Sequence, residues 1–124
     1  MAFWMLAMAS VPVLAQSDIF SPMKDAIKAG DGVTLTKTFA PAVDINLEGN
    51  INTYSKAQSE FVLKDFFKKH PVADFSIVHT GSSKGGLQFA IGRYTSGSES
   101  YNVLIRVRQV GPDYLVHEIS FVRE

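Results

Sequence analysis

The sequence predicts an α+β domain in which one long helix covers a face of an antiparallel sheet, and three observations carry that prediction. The stretch YSKAQSEFVLKDFFKKHP, residues 54–71, holds the start and stop signals of a single helix. Four segments of strand character follow, near residues 73–80, 87–95, 100–110 and 114–122, separated by the turn-rich stretches GSSKGG, SGSE and GPD. Within those segments the apolar residues alternate, so one register can bring them to one face.

At the start, MAFWMLAMASVPVLA is apolar apart from Ser10 and Pro12 and ends in Val13-Leu14-Ala15, a small-residue pattern that signal peptidases accept. Residues 1–15 therefore read as a secretory signal peptide cut before Gln16, leaving one domain over 16–124 with a periplasmic or secreted destination. The stretch lacks the usual basic residues before its apolar core; a buried first helix, or a short anchor broken by Pro12, are the competing readings. After cleavage no segment is long and apolar enough to span a bilayer, and no membrane contact is expected.

Ser21-Pro22 opens a helix, because proline at the first helical position gives up only an N–H that has no partner there. Met23, Ala26 and Ile27 recur at helical spacing, and Gly30 supplies a left-handed stop. VTLTKTF, residues 33–39, sets Leu35 and Phe39 four apart against three β-favouring threonines and reads as a short second helix. AVDINLE, residues 42–48, alternates Val43, Ile45 and Leu47 with polar neighbours, a half-buried strand. Gly49-Asn50 then turns the chain into an extended piece ending near Tyr54. Ser55 and Gln58 form a capping box for the long helix. Val62, Leu63, Phe66 and Phe67 give its apolar face, Lys68 and Lys69 suit its C-terminal dipole, and Pro71 ends it.

With the three later turns centred on Ser83, Gly97 and Pro112, the odd-numbered residues line up across the four strands. One row holds Phe75, Ile91, Val103 and Phe121, and the next Ile77, Phe89, Ile105 and Ile119. A third holds His79, Leu87, Val107 and His117. The first two rows are wholly apolar, so the odd face is the one the helix is expected to cover. On the other face Arg106 falls opposite Glu118, a pair suited to a solvated surface.

Composition removes several classes of function. The 124 residues are 46% hydrophobic and 19% charged, enough for one core. Lys plus Arg and Asp plus Glu both number 12, so no cationic excess is available for phosphates and nucleic acid is not an expected partner. The chain has no cysteine, which excludes disulfides, thiolate metal sites and thiol catalysis. GSSKGG lacks the full phosphate-loop spacing and joins two strands, where a phosphate loop must enter a helix.

Helix, short helix, strand hairpin, long helix and four antiparallel strands is an order that resembles the nuclear-transport-factor-2-like fold, also grouped as cystatin-like. More closely, AIKAGDGVTLTKTF, YSKAQSEFVLKDFFKKHP and FSIVHTGSSKGGLQFAIGRY are similar to a small secreted Gram-negative bacterial domain-of-unknown-function family with this fold. The similarity covers nearly the whole chain after residue 15. It implies a cone-shaped nuclear-transport-factor-2-like fold, with N-terminal helices and a long helix packed on a curled antiparallel sheet and a pocket between them. It implies no activity, since the family has no established reaction or site to carry over. Thr34, Thr36 and Thr38 depart from the helix formers the pattern calls for.

The candidate pocket residues are His79, His117, Arg93 and Tyr101. The two histidines fall on the covered face at one end of the sheet, where imidazole serves as base, proton shuttle or ligand. Three strand spacings of about 4.8 Å separate them, about 14 Å, too far to share a metal, and His70 matches neither, so no metal or cofactor is expected. Their ordinary alternative is a hydrogen bond at the core rim. Arg93 and Tyr101 face each other at the opposite end, where guanidinium and phenol suit an anion, or else snorkel to water. Enzymes of this fold, such as ketosteroid isomerase and its SnoaL-like relatives, use an inward carboxylate or a His-Asp pair. The three odd rows contain no Asp or Glu.

The function expected is therefore a secreted or periplasmic domain that binds a small apolar ligand or a protein partner without catalysis. The alternative is a small lyase or isomerase with a histidine base in the cone pocket. A candidate homodimer through the sheet's other face, with Asn102, Leu104, Arg106 and Arg108, is a third reading.

Overall fold

Local chemistry sets most of the elements where the sequence places them. The computed structural model describes residues 18–124, so the expected signal peptide over 1–15 lies outside the described residues. A 3₁₀ turn, Asp18–Phe20, leads into α1 (Ser21–Lys28), which buries Met23, Ala26 and Ile27 and is followed by Gly30 at φ +65°. The second helix, α2 (Gly32–Thr36), does form, and its threonines support it. The Asp31 side chain accepts hydrogen bonds from the backbone N–H of Thr34 at 3.1 Å and from its hydroxyl at 2.6 Å. The hydroxyls of Thr36 and Thr38 donate to the carbonyls of Val33 and Leu35. Threonines that disfavour a helix interior thus satisfy backbone groups at the ends of a very short one.

The hairpin of β1 (Phe39–Leu47) and β2 (Asn50–Ser55) turns at Glu48-Gly49, both at positive φ, one residue earlier than expected. The capping box is formed: Gln58 N–H donates to the Ser55 hydroxyl at 3.1 Å, and Ser55 N–H donates to the Gln58 side chain at 3.0 Å. It starts α3 (Lys56–Lys69), which buries Ser59, Leu63, Phe66 and Phe67. Then come β3 (Asp74–Ser83), β4 (Leu87–Ser96), β5 (Glu99–Val110) and β6 (Asp113–Arg123). The six strands form one open sheet in the order β2-β1-β6-β5-β4-β3, antiparallel except where β1 runs parallel to β6.

The expected registers hold in one of three hairpins and shift in two. Between β5 and β6, Val103 faces Phe121, Ile105 faces Ile119, and Arg106 faces Glu118, as expected. Between β4 and β5 the loop is the two-residue Gly97-Ser98, not a turn centred on Gly97, so Tyr94 pairs with Tyr101 and Ala90 with Ile105. That one-step change reverses every side chain of β4. Ala90, Gly92 and Tyr94 go under the helix, while Leu87, Phe89, Ile91 and Arg93 go to the opposite face. Between β3 and β4 the turn is Lys84-Gly85-Gly86, with both glycines at positive φ, two residues later than a turn at Ser83.

Two bulges displace both candidate histidines. Pairing slips between Ile77 and His79, which leaves Val78 65% exposed and turns His79 to the face opposite the helix. In β6, Val107 pairs with Val116 and not with His117, which becomes the extra residue.

Under α3 the space is filled by rings. Phe66 lies 4.5 Å from Phe121, 5.6 Å from Tyr101 and 5.7 Å from Tyr94 between ring centroids, and Phe67 packs on Tyr94 and Phe121. Phe61, by contrast, is 71% exposed and takes no part in this filling. Phe75 completes the layer by lying across Gly92, where an added Cβ would sit 2.7 Å from the ring and 2.8 Å from the Ser76 carbonyl. Backbone and a fully buried ring bound that space on two sides, so Gly92→Ala is expected to destabilise the fold by about 1–3 kcal/mol through overpacking. Urea unfolding of the two proteins checks it; equal midpoints would show that Phe75 has room to move.

Candidate functional site

The reversed register of β4 creates an apolar patch on the face that α3 leaves bare. Leu87, Phe89 and Ile91 of β4 and Leu104 of β5 are each half-buried there. Phe89 lies over Gly81 of β3, where an added Cβ would meet the ring at 2.5 Å, so the aromatic side chain drops into the gap a glycine leaves. This patch floors an open depression of about 680 Å³, within the range typical of small-molecule sites. Its wall on the other side is polar: Asp44, Arg106, Arg108, His117 and Glu118.

The bulges place that wall. Between Phe39 and Asp44 the β1–β6 pairing slips beside His117, and Ala42 and Asp44 of this irregular stretch line the depression with it. Asp44 is held by Thr53 of β2, whose hydroxyl donates to it at 2.5 Å. Arg106 and Glu118 meet loosely at 3.7 Å. The Nε2 of His117 is buried and has no hydrogen-bond partner among the described residues. Burial above all, and then the charge of Arg108, hold the imidazole below its ordinary pKa, against a smaller opposing pull from Asp44. His117 is therefore a neutral imidazole at pH 7, with one nitrogen unused at the edge of an apolar floor.

The candidate residues thus separate. Only His117 of the four lines this depression. His79 is exposed on the same face, its ring 5.8 Å from that of Phe89. Arg93 is also on that face, paired with Glu124 through two hydrogen bonds of 3.0 and 3.2 Å. Tyr101 is fully buried on the helix side, so it does not face Arg93, which pairs with Asn102. The expected Arg93–Tyr101 pair is corrected by the same one-step register change, and the histidines leave the covered face through the two bulges. No group of three or more His, Cys, Asp or Glu positioned for a metal occurs among the described residues.

A second polar cluster escaped the sequence reading. The Tyr101 hydroxyl lies 3.1 Å from both His70 Nδ1 and Glu99 Oε1, and Nδ1 lies 3.2 Å from the same Glu99 oxygen. Arg123 reaches Tyr101 at 3.4 Å, Glu99 at 3.3 Å and Glu48 at 3.4 Å. The Tyr94 hydroxyl donates to the His70 carbonyl. Burial raises the pKa of both tyrosines, Tyr94 the more strongly, and keeps them neutral donors. Since His70 is the C-cap of α3, these bonds fasten the helix end to β4, β5 and β6. No spacing in the sequence announces it, because its members come from the end of α3, three strands and the β1–β2 turn.

The low pKa of His117 has a consequence for stability. Folding holds it below the unfolded value of about 6.5, so below that pH the unfolded chain binds more protons and stability falls as pH falls. His117→Leu is expected to lose less unfolding free energy than the wild type as pH falls below about 6.5. Denaturant unfolding over that range of pH measures it; identical slopes would mean that the imidazole is not desolvated.

Comparison with known proteins places the chain. Residues 20–121 match the family described as Domain of unknown function (DUF4783). A DUF4783 family protein from Bacteroides uniformis superposes with a TM-score of 0.79 at 24% identity, over 84% of this chain and 95% of that one. A cystatin-like domain of unknown function from Nostoc punctiforme gives 0.69 at 14% identity, over 94% and 80%. An NTF2-like protein of unknown function from Shewanella baltica gives 0.68 at 11%, over 94% and 98%. At these identities the likeness concerns the fold, which is nuclear-transport-factor-2-like. No curated protein matches the sequence.

Proposed function

The chain belongs to the DUF4783 family, and from that premise we propose that it is a secreted or periplasmic binding domain without catalytic activity, which takes a small, largely apolar ligand on the uncovered face of its sheet. The observation that carries this reading is the depression of about 680 Å³ floored by Phe89, Ile91 and Leu104. An apolar floor with a few convergent polar groups is the usual composition of a ligand site. The helix-covered face offers less, because Phe66, Phe67, Tyr94 and Phe121 occupy it with their own rings.

The alternative of a lyase or isomerase has less support. Of its two stabilisers for a base at His79 or His117, Tyr101 lies on the opposite face of the sheet, and Arg93, on the same face, is held by Glu124 through two hydrogen bonds. The secretory part of the reading rests on residues 1–15 alone.

Native mass spectrometry of the protein from its own source is expected to show one small molecule per chain that is lost on denaturation. Ile91→Glu, which places a charge in the floor, is expected to abolish that mass. A doubled mass sensitive to the same substitution would instead make this face an interface between copies and overturn the ligand reading. Intact mass of the exported chain is expected to correspond to a start at Gln16; retention of residues 1–15 in the cytoplasm would overturn the secretory reading.

A further inference from the structure

Resting on the reading that this depression is a ligand site, we infer that its ligand is an amphipathic monoanion, whose carboxylate-type head is received by the Arg108 guanidinium and His117 Nε2 while its apolar body lies over Phe89, Ile91 and Leu104. The inference follows from which polar groups of the wall already have partners. Asp44 accepts the Thr53 hydroxyl at 2.5 Å, and Glu118 faces Arg106 at 3.7 Å. Arg108 makes no ion pair among the described residues, and the buried His117 Nε2 has no hydrogen bond there. The two groups left over lie close enough for the guanidinium charge to act on the imidazole.

Their chemistry selects the sign of the ligand. A guanidinium only donates, and a neutral imidazole donates through Nε2 in one of its tautomers. Two donors at one edge of an apolar floor match an oxyanion, which accepts from both at once and removes the cost of a buried nitrogen without a partner. Of the wall's two carboxylates, Glu118 already faces Arg106, and Asp44 accepts the Thr53 hydroxyl. A wholly neutral hydrocarbon would cover the floor and leave His117 Nε2 buried with nothing to bond.

Decanoate and decan-1-ol, of equal chain length and kept below micelle formation, separate these cases when titrated calorimetrically into the full protein at pH 7 and low ionic strength. Decanoate is expected to bind about tenfold tighter than the alcohol, the worth of one charge-assisted hydrogen bond. Arg108→Gln and His117→Gln are each expected to erase most of that margin by weakening decanoate more than the alcohol, and Ile91→Glu to remove binding of both. Equal affinity for the two probes would overturn the anionic head and leave the apolar site standing. Binding of neither probe, or binding indifferent to Ile91→Glu, would overturn the site itself and the inference with it. Arg108 is an exposed strand residue, so its variant tests the head group without endangering the fold.

Discussion

The pairing of Tyr94 with Tyr101 is the constraint on which the rest of the structure depends. It follows from a two-residue turn, Gly97-Ser98, in which Gly97 takes a positive φ that an L side chain adopts only at a cost. Because side chains alternate along a strand, that turn decides the facing of all of β4 at once. Tyr94 joins Tyr101 in the core, and a phenylalanine, an isoleucine and a leucine go to the face the helix does not reach. A turn one residue longer would have placed the aliphatic set under α3 and Tyr94 outside.

With the tyrosines inside, the covered face becomes a packed aromatic layer whose polar ends are all answered. The hydroxyl of Tyr94 caps the last turn of α3 through the His70 carbonyl, and that of Tyr101 joins His70, Glu99 and Arg123. Buried tyrosines need such partners, and here the partners also tie the helix to the sheet. The space under α3, where a pocket was expected, is thereby used for stability. On the other face the converse holds: large apolar side chains lie half-open beside a wall that contains an unsatisfied nitrogen.

Bulges supply the local detail. A single extra residue in β6 lifts His117 out of the row it would share with Val107, and the irregularity in β1 lies beside it. The extra residue at Val78 does the same to His79. Each bulge moves one histidine from a predicted interior position to the opposite face, so the place of His117 in the wall of the depression arises from an interruption of the regular pattern.

Element type and order were legible in the amino-acid sequence because they depend on neighbours along the chain. The capping box at Ser55 and Gln58, the stop at Gly30, the helical spacing of Leu63, Phe66 and Phe67, and the alternation of β5 against β6 all act over a few residues and survive into the structure. The family resemblance followed from that order. A Gly-Ser dipeptide is itself a hairpin signal, and giving it weight over the apolar alternation of Leu87, Phe89 and Ile91 would have set β4 correctly. The bulges, the polar clamp at His70 and the depression beside His117 were decided by tertiary structure alone. They depend on how strands far apart in sequence settle against one another, and the hydrophobic alternation of any one strand fits either face equally well.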